Sequence, residues 1–196
     1  MKKSILTIIT GLGFALIANA QSTNKGTITL GGNVSYNHQK VVNADGNTQT
    51  YSILPNIGYF VHNNFALGLG LGYAGTTVKN ASDNKAVSGE FAVAPYARYY
   101  AGKANVKFFG QLSIPMGWGT NKSGDTKTGT TEHYGVALSP GVVFFPNSKV
   151  GVEFSVSGLH YEYSSDKPKN GTKVEVNQFG LDANFLKPSI GIKFYL

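Results

Sequence analysis

The stretch F-A-L-G-L-G-L-G-Y, from Phe65 to Tyr73, decides the fold. In an extended strand successive side chains point to opposite faces, so Phe65, Leu67, Leu69, Leu71 and Tyr73 share one face. Ala66, Gly68, Gly70 and Gly72 share the other. A soluble sandwich would turn the large residues inward and clothe the opposite face with charge, yet here that face has neither bulk nor charge. A narrow barrel in lipid resolves the pattern: large side chains point out into the bilayer, and small ones fit a crowded lumen.

Working outward, the whole chain has the composition of such a barrel. It has 196 residues, no Cys, 25 Gly, 14% charged and 12% aromatic residues, with no apolar run long enough for a helical span beyond the first twenty positions. The absence of Cys removes disulfides, thiolate metal sites and an acylated lipoprotein cysteine. The net charge of +7 does not mark a nucleic-acid binder, because Arg98 is the only Arg and the lysines are dispersed. Lys2 and Lys3, then Ile5 to Ala18, then Ala18-Asn19-Ala20 read as a secretory signal peptide over 1–20, cleaved before Gln21. A barrel domain over 21–196 follows, with its net charge reduced to +5 by loss of the two lysines.

Downstream the sequence divides into eight alternating strands. They run about Thr27 to Asn37, Thr50 to Phe60, Phe65 to Tyr73, Glu90 to Tyr100, Asn105 to Thr120, His133 to Phe145, Val150 to Tyr161, and a final segment to Leu196. Four long polar loops join them, at His38–Gln49, Gly75–Gly89, Asn121–Thr131 and Glu162–Lys173. They alternate with short turns at Val61–Asn64, Ala101–Ala104 and Pro146–Lys149. In strand seven Val152, Phe154 and Val156 are expected outward. In the last segment Phe179, Leu181 and Phe185 are odd but Ile190, Ile192 and Phe194 even, which predicts a bulge near Lys187-Pro188. Pro55 and Pro95 fall on outward positions and are expected at bulges, because each removes a ladder donor.

Aromatic residues collect at strand ends. Tyr36, Tyr51, Tyr73, Trp118 and Tyr134 lie near the long loops, and Tyr59, Phe65, Tyr99, Phe108, Phe144 and Phe194 near the short turns. Two girdles are what amphipathic rings form at two membrane surfaces. The fold expected is therefore all-β: an eight-stranded antiparallel up-and-down transmembrane barrel with both termini on the short-turn side.

In G-Y-F-V-H-N-N-F-A-L-G-L (Gly58 to Leu69), F-F-P-N-S-K-V-G-V-E (Phe144 to Glu153) and the terminal G-I-K-F-Y-L, the chain resembles the small outer-membrane beta-barrel domain family of the porin-like superfamily. These are related in architecture to eight-stranded OmpA/OmpX-type barrels. The resemblance implies residence in the outer membrane, in contact with its lipid and lipopolysaccharide. It also implies insertion by the outer-membrane machinery, which reads an alternating last strand that usually ends in an aromatic; this chain departs by ending in Leu196 after Phe194 and Tyr195.

Arg98, Lys107, Glu153 and Lys193 all read as lumen-facing, near the short turns. Charges in so narrow a lumen must pair or meet water, which suggests a Glu153-centred network that plugs it. His160 reads as lipid-facing at the outer rim and, with Ser164 and Ser165, raises a lipid-modifying hydrolase. His160 and His133 are read instead as interfacial rim residues, since no Ser shares a strand face with His160 at the required spacing. No metal or cofactor pattern is evident. The reading is a non-catalytic, monomeric outer-membrane protein serving envelope integrity or surface interaction through four outer loops, which could hold a surface ligand. Its alternative is binding or lateral transport of a small hydrophobic molecule, which needs a wider lumen than the Gly-rich strands suggest.

Overall fold

The computed structural model describes residues 23–40, 46–79, 85–103, 105–182 and 189–196; the expected signal peptide and its cleavage point lie outside them. Among the described residues, eleven strands form one antiparallel sheet. They are β1 (Ile28–Lys40), β2 (Asn47–His62), β3 (Phe65–Lys79), β4 (Lys85–Lys103), β5 (Val106–Ser113), β6 (Met116–Ser123), β7 (Thr126–Asn147), β8 (Val150–Ser155), β9 (Gly158–Pro168), β10 (Val174–Asp182) and β11 (Ser189–Tyr195). Consecutive segments β5 with β6, β8 with β9, and β10 with β11 each make one stave. The result is a closed eight-stranded barrel, as expected from the alternation.

The barrel is inside-out. Leu67, Leu69 and Leu71 lie exposed on its outer surface together with Ile53, Phe91, Leu112, Leu138 and Phe154. Arg98, Glu153 and Lys193 are buried inside, at 7%, 9% and 3% exposure. Water would reverse this distribution, because charged residues are almost never fully buried unless paired. The glycines of the opening stretch do two different jobs. A Cβ on Gly68 would stand 2.2 Å from the Tyr96 ring, which lies across Gly58 and Gly68 with its hydroxyl donating to Ile57 O at 3.3 Å. A Cβ on Gly70 would meet nothing nearer than 3.5 Å, because this glycine borders open space.

The structure departs from the sequence reading at several points. The segments read as long loops are largely strand: β6 and β7 meet at Gly124-Asp125 alone, and β9 runs on to Pro168. Their Thr, Lys and Ser residues continue the ladders, so polarity there marks a wet hairpin and not the end of pairing. Neither Pro55 nor Pro95 sits at a register shift: Pro55 stays in step with β1 while the ladder to β3 is skipped from Ile53 to Asn56, and Pro95 pairs Leu69 of β3. Pro95 instead faces the gap between β5 and β6, where Ile114 N donates to Pro95 O at 3.0 Å, and Pro115 makes a second missing donor in that gap.

The bulge that matters lies in strand seven. Gly141 pairs Ser155 while Leu138 pairs Leu159, one residue more than an even register allows. The extra residue falls between Val156 and Gly158, whose φ of +67° suits glycine. Val156 is consequently buried, not outward, and above the bulge Leu159 and Tyr161 take the outer face. The parity change in the last stave is present: Phe179 and Leu181 are 75% and 69% exposed, and Ile190 and Ile192 are 64% and 56% exposed. Seven residue steps separate Asp182 from Ser189, while three separate their partners Gly158 and Ser155. Lys187-Pro188, the expected position of that bulge, lies outside the described residues.

Closure rests on β1 and β11, which pair from Thr29↔Tyr195 to Gly32↔Ile192, with Ile28 and Leu196 exchanging two more backbone bonds at 2.9 and 2.8 Å. Beyond Gly32, β1 stays with β2 as far as Lys40↔Asn47, and among the described residues it has no pairing with β10 or with the remainder of β11. The two glycines of β3 give a direct check on this packing. Gly68→Ala is expected to lower unfolding stability by about 1–3 kcal/mol through the clash with Tyr96. Gly70→Ala is expected to be neutral or stabilising by about 0.5 kcal/mol; urea titration followed by the fluorescence of the single Trp, Trp118, measures both.

Candidate lumen site

The lumen is layered from the short-turn end upward. Phe60, Ala66, Tyr100, Phe109, Val143, Phe145 and Tyr195 form the buried apolar cluster at its base. Their rings meet at 5.0 Å for Phe145 with Tyr195 and 5.4 Å for Phe60 with Tyr100. Below, the first described residues fold against the turns: Thr23 Oγ1 donates to Asn64 Oδ1 at 2.8 Å and Asn64 N donates to Thr23 O at 2.8 Å. Lys107 Nζ donates to Thr23 Oγ1 and to Asn64 Oδ1. Lys107 therefore does not join Glu153. It starts β5, too close to the turn to reach the network, and it ties the N-terminal segment to the barrel.

The network itself lies above the ring cluster. Arg98 Nη1 is 2.7 Å from Glu153 Oε1, and Lys193 Nζ is 3.7 Å from Glu153 Oε2. Arg98 Nε also donates to Gln111 Oε1 at 2.9 Å and Nη1 to the Tyr100 hydroxyl at 3.2 Å, while the guanidinium sits 4.1 Å over the Phe109 ring. The Tyr195 hydroxyl donates to Glu153 Oε1 at 3.1 Å. Side chains of β4 and β11 thus converge on the β8 carboxylate, with Gln111 of β5 held through Arg98, and together they hold the lumen shut below. Sequence reasoning identified Arg98, Glu153 and Lys193 but missed Tyr100, Gln111 and Tyr195. Their inward parity on β4, β5 and β11 was the available signal.

Above the network the lumen is open rather than crowded. A cavity of about 290 Å³ is walled by Gly70, Ala92, Ala94, Ser113 and Ser139 and floored by Arg98, Glu153 and Lys193. Small inward residues leave space here, with Leu54 lying over Gly72 on the same wall and only Ala94 facing Gly70. Asn56 Oδ1 on the wall is buried without a hydrogen-bond partner.

The two histidines read as rim residues face inward. His160 pairs with Ala137 and its ring lies over Gly180, because the strand-seven bulge reverses parity before it. It is not lipid-facing, which removes the geometric premise of a rim hydrolase. His133 lies over Gly117 with Nδ1 3.3 Å from Glu90 Oε2. The girdle residues Tyr36, Tyr51, Tyr73, Trp118, Tyr134, Tyr59, Tyr99, Phe108, Phe144 and Phe194 lie exposed on the outside, and Phe65 is half-buried. Trp118 Nε1 donates to the Tyr134 hydroxyl at 3.1 Å, and Tyr163, absent from the expected set, stacks on Tyr134 at 6.5 Å.

Removing the carboxylate strands two buried cations, whereas removing Lys193 leaves a neutral pair. Glu153→Gln is therefore expected to destabilise the barrel by about 3 kcal/mol and Lys193→Met by about 1 kcal/mol or less, by urea unfolding.

No family model matches the chain, and no curated protein matches it in sequence. Among solved structures, the outer membrane protein OprG from Pseudomonas aeruginosa is similar at 15% identity and a TM-score of 0.52, covering 91% of this chain and 99% of that one. Neisserial surface protein A is similar at 14% identity and a TM-score of 0.46, covering 90% of this chain and 99% of its own. At such identity the likeness concerns architecture, and it agrees with the strand order and closure described above: the chain has the eight-stranded antiparallel barrel fold that OprG has.

Proposed function

We propose that the chain is a monomeric, non-catalytic integral protein of the outer membrane, exported by its signal peptide and acting in envelope integrity or at the cell surface. The observation that carries this reading is the outer face, where leucine, isoleucine, valine and aromatic side chains stand exposed around the barrel while the charges lie within. A contiguous apolar surface of that extent needs lipid or a partner to cover it. Exposed tyrosines and Trp118 on the long-loop side, with Tyr59, Tyr99 and Phe108 on the other, fit two interfaces bounding that belt. The lipid of the outer leaflet, lipopolysaccharide included, is then its solvent, and β11 is the strand offered to the insertion machinery. The hairpins β6–β7 and β9–β10 rise past the aromatic rim and are the surfaces available to an external ligand.

The ring cluster and the Glu153 network argue that nothing flows through the barrel. A second reading is favoured by the cavity above them and by the early end of the β1–β11 ladder: the upper lumen receives a small molecule, entering from the side. The two readings are compatible, since the first concerns where the protein resides and the second what its upper lumen holds.

The mature protein is expected in the outer-membrane fraction, with migration on a gel that changes on heating, and with no steady conductance in planar bilayers. Recovery in the soluble periplasmic fraction would end the membrane reading. A steady current that falls in Glu153→Gln would end the plug.

A further inference from the structure

The lysines are dispersed along the chain, but strand pairing gathers several of them on the outer face of β6, β7 and β9, beyond the aromatic rim. Lys122 and Lys127 stand directly opposite each other across the β6–β7 hairpin, where like charges repel. On the other side of β7, Lys167 pairs Thr130, which in turn pairs Thr120, two residues from Lys122. The outward phase of these positions is fixed lower on the same strands, where Trp118, Tyr134, Tyr161, Val136, Leu138 and Leu159 are exposed. Lys122, Lys127 and Lys167 are themselves exposed, and among the described residues no ion pair joins any of them to a carboxylate.

A cavity of about 170 Å³ opens on this face, lined by Thr130, Glu132, Ser165, Lys167 and Lys173. Ser165 is its buried member, at 5% exposure. Glu175 takes Lys173 at 2.5 Å and accepts from the Tyr163 hydroxyl at 2.5 Å, so Lys173 is balanced and Lys167 is not. Lys85 adds a further cation on the β4 side, two residues from Val87, the partner of Lys122. Against these five lysines the same face sets Glu132 and Glu175, while at the two turns Asp125 and Lys169 add one charge of each sign. Asp166 pairs Thr131, whose side chain lies over Gly119 on the inner face. The outer face of these hairpins therefore has cations in excess, beside a cavity carrying hydroxyls and one carboxylate.

We propose that this face docks the phosphorylated saccharide headgroup of an outer-leaflet glycolipid, with phosphate on Lys122, Lys127 and Lys167 and sugar hydroxyls against Glu132 and Ser165. This deepens, and rests on, the reading of the chain as an outer-membrane protein. Continuity with the apolar belt selects a lipid over a free phosphate. Acyl chains lying on Val136, Leu138 and Leu159 would hold the headgroup beside the stacked Tyr134 and Tyr163 rings, and Lys167 follows Tyr163 by four residues, about 13 Å along a strand. Tethering by those chains presents the phosphate at high effective concentration, which a soluble anion lacks. The bound anion also relieves the repulsion between Lys122 and Lys127.

The test is native mass spectrometry of the full mature protein in non-ionic detergent, titrated with a phosphorylated core-bearing lipopolysaccharide, with the same glycolipid after dephosphorylation, and with soluble inositol hexakisphosphate. One phosphorylated glycolipid is expected to bind about tenfold tighter than its dephosphorylated form. The double variant Lys127→Gln/Lys167→Gln is expected to lose that difference, whereas Lys25→Gln/Lys149→Gln, with the same loss of charge at the short-turn end, keeps it. Heat-modifiable migration confirms that each variant is folded. Equal binding of the two glycolipids, or an equal loss in both double variants, would overturn the site. Inositol hexakisphosphate binding as tightly as the phosphorylated glycolipid would overturn the lipid as its source. Fractionation separates these results from the reading beneath them: failed binding by a protein recovered in the outer membrane refutes the docking face alone, and recovery in the periplasm refutes the membrane residence on which it rests.

Discussion

In the membrane setting proposed above, a sheet whose outer face is leucine, isoleucine and phenylalanine must find the partners of its backbone N–H and C=O groups within itself, because hydrocarbon offers none. Everything else in this barrel follows from meeting or relaxing that demand. Meeting it requires closure, and closure depends on the short ladder Ile28 to Gly32 against Ile192 to Leu196. Around that joint the lumen is filled most densely: Tyr195 and Thr29 are fully buried, and Phe60, Phe145 and Tyr100 pack beside Tyr195 or one another. The closing strand thus carries both halves of the solution, since Tyr195 and Lys193 point inward to the ring cluster and the ion network while Phe194 and Ile192 face out.

Where the demand is relaxed, the structure marks the place with proline, glycine or a change of parity. Pro95 lies opposite the gap between β5 and β6, where its O accepts from Ile114 N, and Pro115 within that gap turns toward β7, its O accepting from Gly135 N. The Val156–Gly158 bulge inserts one residue and passes the outer face from Phe154 to Leu159. Each is a local answer to a local deficit. Above Gly32, β1 has no ladder with the described residues of β11 or β10, and residues 183–188, which lie between those two segments, are outside the described residues.

Much of this was legible in the residues. Period-two alternation fixes which side chains face out along seven staves, since a one-residue slip would place leucines in the lumen, and the parity change between Leu181 and Ile190 was visible for the same reason. The strand-seven bulge was not visible, because Val156-Ser157-Gly158-Leu159 keeps an apolar residue on either phase and alternation cannot choose between them. That one residue turned His160 from the lipid side to the lumen. Hairpin length was misread for a different cause: above the apolar belt both faces of a strand are polar, so the hydrophobic signal disappears while the hydrogen-bond ladder continues. Three of the four lumen charges could be grouped by parity and strand end alone. Lys107 could not, because its partners Thr23 and Asn64 belong to the N-terminal segment and a turn, whose positions alternation does not encode.

The same residue type serves opposite ends in β3, and that contrast explains why the lumen is both plugged and hollow. Gly58 and Gly68 are small because Tyr96 occupies the space above them, so their lack of a side chain is a packing requirement that fills the barrel. Gly70 is small with little above it, opposite Ala94, and its lack of a side chain leaves volume. The change occurs within two residues, at the level where Arg98, Glu153 and Lys193 form the floor. A purely structural barrel interior gains from filling such a space with methylenes, at roughly 25 cal/mol per Å² of apolar surface buried. An eight-stranded interior is just wide enough for its own side chains, so a void directly above an unbalanced charge is stability that ordinary packing would have recovered. The region of the lumen with the most to gain from larger residues is therefore the region that keeps alanine, serine and glycine, and it is also the region beside the only stretch of described wall where β1 is left unpaired on one side.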